Sequence, residues 1–237
     1  TIKQQITNVF KALLDQEKDI RQARLILNDG SEYIRVERNN NKLIITPPNL
    51  LQAKEDRDYF KAGMKLSDKE IYVSQISPNY EHGKVELPIW PTYRIITNLR
   101  DIDNSIIGLL VLNIDASESL NRLNSNKQGI LTPLENYLID NNGYYVAAPN
   151  PLSLFGNDLA HEGMNWFTHT GNSTPLKESD TFQTNFMDKK YFFSAQKINL
   201  PNKIIGKEYY LYTGLPTSKI DQEILAKRKE LLVPIIG

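Results

Sequence analysis

Cysteine is missing from all 237 residues. That excludes disulfides and thiol chemistry, and leaves the compartment open. Net charge is missing too. Lys and Arg total 28, as do Asp and Glu, which argues against broad electrostatic attraction to nucleic acid or an anionic membrane surface. No uninterrupted apolar run approaches the length of a membrane span, and there is no signal peptide. Enzyme signatures are lacking as well: no Gly-x-Ser-x-Gly, phosphate loop or dinucleotide fingerprint occurs. His82, His161 and His169 are scattered, without the neighbouring ligands of a zinc site. Asp101-Ile102-Asp103-Asn104 begins like a calcium loop but lacks its glycine and closing glutamate, so a hairpin turn explains it better. Asn172-Ser173-Thr174 fits a glycosylation acceptor. The expectation is therefore no catalytic residue, no metal and no cofactor.

What is present is an ordinary globular composition, 40% hydrophobic and 24% charged, enough for one large domain or two small ones. Ile2, Ile6, Val9, Leu13, Gln16, Ile20 and Ala23 recur at four- and three-residue intervals, with Phe10 and Leu14 beside them. This heptad seam predicts a helix over residues 2–24, lying on its own domain, pairing with a second copy of the chain, or both. From Arg24 the period becomes strand-like. Leu25–Asn28, an Asp29-Gly30 turn and Ser31–Glu37 form a hairpin, and Asn39-Asn40-Asn41 turns the chain into Lys42–Thr46. Asn49 is placed to cap a helix from Leu50 to Gly63. Strands follow at Ile71–Ile76, Val85–Leu87, Thr92–Leu99 and Ile106–Ile114. A helix at Ser117–Ser125 comes next, and then the pattern repeats. Tyr137–Asp140, an Asn141-Asn142-Gly143 turn and Tyr144–Ala148 reproduce the first hairpin; Phe182–Met187, Lys190–Lys197 and Tyr209–Leu215 are further strands. Ser218–Leu232 is a closing helix. The fold class is α+β, with two similar antiparallel-sheet units in tandem.

The candidate binding residues cluster in the first unit. Arg57 offers a planar fork of donors for a carboxylate, and Tyr59, Phe60 and Tyr72 can wall a small pocket. Ser74 shares the face of Tyr72 and supplies a hydroxyl. Asp115 ends an otherwise apolar strand, where an acid calls for a partner. Arg57 and Asp115 suit the two ends of a zwitterion, with plain salt bridges as the alternative; Trp90 joins Tyr59 and Phe60 as a candidate ligand wall, with packing as the alternative for all three. Arg94, in TYRIIT, is a second carboxylate candidate.

The runs LNDGSEYIRVE, LQAKEDRDYF, IYVSQISPN, PIWPTYRIIT and GLLVLNID, in that order, resemble the membrane-distal module of the double Cache (PAS-like) sensor family. YLIDNNGYYVAAPNP followed by LFGNDL resembles its proximal module. The resemblance implies a long N-terminal helix (1–24) carrying two tandem PAS-like modules. The distal one would span 25–116 and the proximal one 136–216, joined by a connection at 117–135 and followed by a helix at 217–237 leading to a membrane span. It also implies the extracytoplasmic, periplasmic part of an inner-membrane receptor: a histidine kinase, diguanylate cyclase or chemoreceptor, sensing and not catalysing. Both ends then read as cut from something longer. Amino-acid-binding members share a pattern of Tyr, Arg-x-Trp, Tyr and Asp. Arg57, Tyr72 and Asp115 match three of its five positions, while Gln52 and Tyr59 stand where the first Tyr and the Trp belong. The resemblance thus implies a small carboxylate or amino-acid-like ligand in the distal module. Two arginines, Arg57 and Arg94, would favour a dicarboxylate. The alternative is a sensor that binds a periplasmic protein partner and has no small ligand. A homodimer through the first helix is expected; nucleic acid is not.

Overall fold

The computed structural model of the chain describes residues 1–81, 83–125, 134–161, 163–172 and 181–232. The chain divides into two compact units, one formed by Thr1–Ser117 with Leu200–Lys207 and the other by Glu118–Asn199 with Glu208–Gly237.

In the first unit, α1 (Ile2–Gln16) begins at an N-cap Thr1, whose hydroxyl accepts from Gln4 N. It ends well before the expected Arg24. Glu17 takes an extended conformation, and Ile20 and Ala23, the last two members of the heptad seam, belong to β1 (Ile20–Leu27). Ile20-Arg-Gln-Ala-Arg-Leu-Ile-Leu buries residues on both faces, which a strand inside a covered sheet does and a surface helix does not. The Asp29-Gly30 turn leads to β2 (Glu32–Asn39), and Asn40 and Asn41, both at positive φ, turn into β3 (Lys42–Ile45). The helix expected from Leu50 to Gly63 shrinks to α2 (Asp58–Gly63). The residues before it run extended along the first turn, where Glu32 N donates to Gln52 O and Lys54 N to Gly30 O. Those bonds outcompete local helix propensity. β4 (Ile71–Val73), the short β5 (Ser77–Pro78), β6 (Tyr80–Glu81) and β7 (Lys84–Val85), then β8 (Pro91–Arg100) and β9 (Ile106–Asp115) complete this stretch.

The main sheet runs β4-β8-β9-β1-β2-β3, antiparallel throughout, with β5 against β8. One face packs on α1, burying Phe10, Leu14, Ile20, Ala23, Ile34, Val36 and Ile114. The opposite face receives α2, whose Tyr59 and Phe60 pack on Ile26, Ile96, Leu109 and Val111. Gly63 permits that approach, since a Cβ there would sit 2.8 Å from both Ile96 and Leu109.

In the second unit, α3 (Ser117–Ser125), β10 (Glu135–Asp140), β11 (Tyr145–Ala147), α4 (Trp166–Thr170), β12 (Thr181–Phe186) and β13 (Lys189–Ile198) follow in order; the chain then passes through β14 (Ile204–Gly206), in the first unit, before β15 (Tyr209–Pro216) and α5 (Thr217–Leu232). β14 departs from the tandem expectation. It pairs parallel to β4 and so extends the first unit's sheet. The second sheet runs β11-β10-β15-β13-β12. Its core is aromatic: Trp166 stacks on Tyr212 with ring centroids 4.0 Å apart and meets Phe193 edge-on at 5.0 Å. Tyr137 and Tyr191 both donate to Glu135 Oε2, at 2.6 and 2.9 Å. Burial, with that carboxylate beside it, pushes the Tyr191 hydroxyl up to about 12.

Candidate functional site

Strand alternation puts every second side chain on one face. Along the α2-facing side of the first sheet, the apolar patch under α2 gives way to polar residues in register. Arg94, Asn113, Gln22 and Glu37 lie opposite one another across β8, β9, β1 and β2. The neighbouring row carries Arg24 opposite Arg35. Asn113 Nδ2 donates to Gln22 Oε1 at 2.9 Å, and Gln22 Nε2 to Glu37 Oε2 at 3.2 Å. Behind this row Glu32, its side chain wholly buried, is ringed by Arg24 at 3.5 Å, Arg35 at 3.7 Å and Lys54 at 4.0 Å. It also accepts from Gln52 N at 3.1 Å. A buried carboxylate is tolerable only with such partners.

Arg94 anchors the other end of the row. Its backbone N donates to Ser74 Oγ at 2.9 Å, its Nη2 reaches Asn79 Oδ1 at 3.4 Å, and its guanidinium lies 5.1 Å from the centre of the Tyr59 ring. Asn79, fully buried, passes the connection on by donating to Glu86 Oε2 at 2.8 Å; Trp90 Nε1 donates to the same oxygen at 2.8 Å. Three buried side-chain atoms on this face have no hydrogen-bonding partner among the described residues: Tyr59 Oη, Thr92 Oγ1 and Asn113 Oδ1. A buried polar atom left unsatisfied costs about 1–3 kcal/mol, so these are three groups on the face able to bond a water or another molecule.

Beside the row opens a cavity of about 440 Å³, walled by Arg21, Gln22, Arg35 and Glu37 on one side and by the loop Glu86–Trp90 on the other. Arg21 lies 5.3 Å from the Trp90 ring and binds Asp115 Oδ2 through Nε and Nη2, both at 3.0 Å.

The residues expected from sequence separate into three places. Tyr59, Phe60, Tyr72, Ser74 and Arg94 come together where α2 meets β4 and β8. Burial and the nearby Asp58 carboxylate raise the Tyr72 hydroxyl above its ordinary value. Trp90 and Asp115 meet instead around Arg21. Asp115 spends Oδ2 on that arginine and uses Oδ1 to accept from Ser117 N at 2.9 Å, capping α3. Arg57 stands exposed as the residue before α2. Sequence reasoning missed Gln22, Arg24, Glu32, Arg35, Asn79, Thr92 and Asn113. A signal for some existed: Arg24, Arg35 and Asn113 interrupt apolar strands just as Asp115 does.

In the second unit, Tyr145 Oη lies 2.6 Å from His169 Nδ1, with the rings stacked. Burial raises the tyrosine and lowers the histidine. Both groups therefore favour their neutral forms, and the hydrogen bond runs between a protonated hydroxyl and a neutral imidazole. Asn150 caps the turn at Pro151–Ser153. His82 and, from Ser173 onward, the glycosylation-like triplet lie outside the described residues. Among those described, no group of three or more His, Asp or Glu is placed to hold a metal ion.

A family model for the sensor domain of bacterial histidine kinases matches residues 1–169. No curated protein matches the chain. Among solved structures, a domain of a protein assigned to the sensory box/GGDEF family from Vibrio parahaemolyticus superposes with a TM-score of 0.72 at 18% identity, over 92% of this chain and 80% of that one. The periplasmic sensory domain of the Campylobacter jejuni chemoreceptor Tlp1 gives 0.65 at 11% identity, over 92% and 79%. The ligand-binding domain of the Pseudomonas aeruginosa PAO1 amino acid chemoreceptor PctB, in complex with L-Arg, gives 0.57 at 13% identity, over 90% and 80%. At these identities the likeness is one of fold.

Proposed function

Because the chain belongs to the bacterial histidine kinase sensor-domain family, we propose that it is the extracytoplasmic ligand-sensing region of a membrane receptor. In this reading the first unit binds a small carboxylate or amino-acid-like ligand on its polar sheet face. The observation that carries the reading is the trio of buried, unpartnered polar atoms on Tyr59, Thr92 and Asn113, in or next to the row that Arg94 heads. Arg94 takes the ligand carboxylate, its guanidinium steadied by the Tyr59 ring and by Asn79. The hydroxyls of Tyr59 and Thr92 and the carbonyl of Asn113 supply further hydrogen bonds. Asn113 Oδ1, an acceptor, is the natural place for a ligand N–H. The role that sequence gave to Arg57 thus passes to Arg94, and Asp115 becomes the partner of Arg21 and the cap of α3.

Ligand binding works as a signal if two conformations of the domain differ in affinity for the ligand. No helix among the described residues is long and apolar enough to cross a membrane. Ile2 and Val9, 73% and 64% exposed on the outer side of α1, support self-association through that helix.

A thermal-shift screen against amino acids and small mono- and dicarboxylates tests the assignment. A ligand at a hundred times its dissociation constant adds about 2.7 kcal/mol of stability. The expected result is a stabilising hit that Arg94→Ala abolishes and Arg57→Ala leaves intact. A hit lost with Arg57→Ala but kept with Arg94→Ala would return the role to Arg57. No hit in the folded chain would favour a protein partner.

A further inference from the structure

The cavity between the sheet and the loop Glu86–Trp90 plays no part in the reading above, and its two walls differ in chemistry. The sheet side carries Arg21, Arg35 and Arg38 against Glu37, and the loop adds Glu86. Three arginines thus face two glutamates in the lining, and just outside it Arg21 also pairs with Asp115 and Arg35 with Glu32. The glutamates already have work: Glu37 Oε2 accepts from Gln22 at 3.2 Å, and Glu86 Oε2 from Asn79 and Trp90, both at 2.8 Å.

Two of the arginines keep donors in reserve. Arg21 gives Nε and Nη2 to Asp115, and its Nη1 has no hydrogen bond among the described residues. Arg38 gives Nη2 to Leu14 O, while its buried Nε has no partner. The face of the Arg21 guanidinium is covered by the Trp90 indole at 5.3 Å, so its free edge is what it offers to a ligand. The loop side is apolar: Leu87, Pro88 and Ile89 line the same cavity, with Leu87 78% and Ile89 42% exposed. Apolar side chains left that open on a cavity wall are stabilised by whatever covers them.

We propose that this cavity is a second binding site, for organic monocarboxylates with an apolar body. The carboxylate is received by the free edge of Arg21, and the hydrocarbon or aryl part lies against Leu87, Ile89 and Trp90. The one free guanidinium edge, that of Arg21, suits a single carboxylate. A volume of about 440 Å³ is within the range of small-ligand pockets and exceeds what acetate would fill.

Hexanoate is the probe, with acetate and succinate as comparisons, measured by isothermal titration on the whole chain. The expected result is saturable hexanoate binding, at least about tenfold tighter than acetate or succinate, since covering the apolar wall is worth that much. Arg21→Gln should weaken it by about tenfold or more. Leu87→Asn, at an exposed position where folding is not at stake, should weaken hexanoate several-fold and leave acetate unchanged. The exposed Arg57→Gln should change nothing. Hexanoate binding no tighter than acetate, or undiminished in Leu87→Asn, would overturn the proposal even if Arg21→Gln failed to fold. Binding abolished by Arg94→Ala yet untouched by Arg21→Gln would place the acid at the polar row instead, overturning this site while upholding the other.

Discussion

Glu32→Gln is the sharpest test of how the polar face is held together. The side chain is wholly buried, and three cations surround it: Arg24 at 3.5 Å, Arg35 at 3.7 Å and Lys54 at 4.0 Å, all at most 8% exposed. At an effective dielectric constant near 20, each such pair contributes up to about 4 kcal/mol of attraction, much of it offset by the cost of burying the ions. Glutamine keeps the size and can still accept from Gln52 N, so what the substitution removes is charge. Arg35 keeps Glu37, which it reaches at 3.4 Å, while the cluster loses the carboxylate that all three cations share. Losing one partner of a buried ionic cluster costs about 3–5 kcal/mol. Because the chain has two units, a global melt would mix them. Native-state amide exchange in β1 and β2 reads the first unit alone. The most protected amides there should exchange faster by about two to four powers of ten, and those of β13 and β15 should be unaffected. The exposed Glu55→Gln serves as the control and should have no effect. A change of less than tenfold in β1 and β2 for Glu32→Gln would mean the cluster is solvated or redundant, and the reasoning would fail.

Other outcomes follow from the packing. Gly108→Ala would bring a Cβ to 2.4 Å from Ile26 O across the β1–β9 ladder, so it should lower the first unit's stability by about 1–3 kcal/mol in the same exchange assay. His169 is held below its ordinary pKa of 6.5 by burial. The folded second unit therefore favours the neutral imidazole, and this contribution to stability is present above about pH 6.5 and lost as pH falls toward the lowered native value. Protection of the β13 and β15 amides, corrected for the intrinsic slowing of exchange with falling pH, should decrease on acidification through that range in the wild type and less so in His169→Gln; equal slopes would contradict the assignment.

The strands and turns were legible because their signals are local. Asp29-Gly30 and the Asn39–Asn41 run announce tight turns, and the second hairpin, read from Asn141-Asn142-Gly143, forms where expected. What failed was non-local. The four-three spacing of α1 continues by coincidence through Ile20 and Ala23, which the sheet claims. The segment before α2 forgoes a helix for backbone bonds to Gly30 and Glu32. β14 joins a sheet begun more than a hundred residues earlier. The site suffered similarly. Arg94, Tyr59 and Ser74 were foreseen one by one, but the row Arg94–Asn113–Gln22–Glu37 exists only through the register of four strands. Asp115 looked like a ligand group because an acid ending an apolar strand needs a partner; Arg21, which supplies it, lay in a segment read as helix.

The measurement that bears most directly on the account is nuclear magnetic resonance of the Asn113 side-chain amide. It would be recorded on the chain saturated with the strongest stabiliser from the carboxylate and amino-acid screen. Asn113 sits fully buried at the middle of the polar row with its carbonyl oxygen unpartnered. The account predicts a large shift of this resonance, together with those of Tyr59 and Thr92. Shifts confined to other parts of the chain, with Asn113 unmoved, would contradict it.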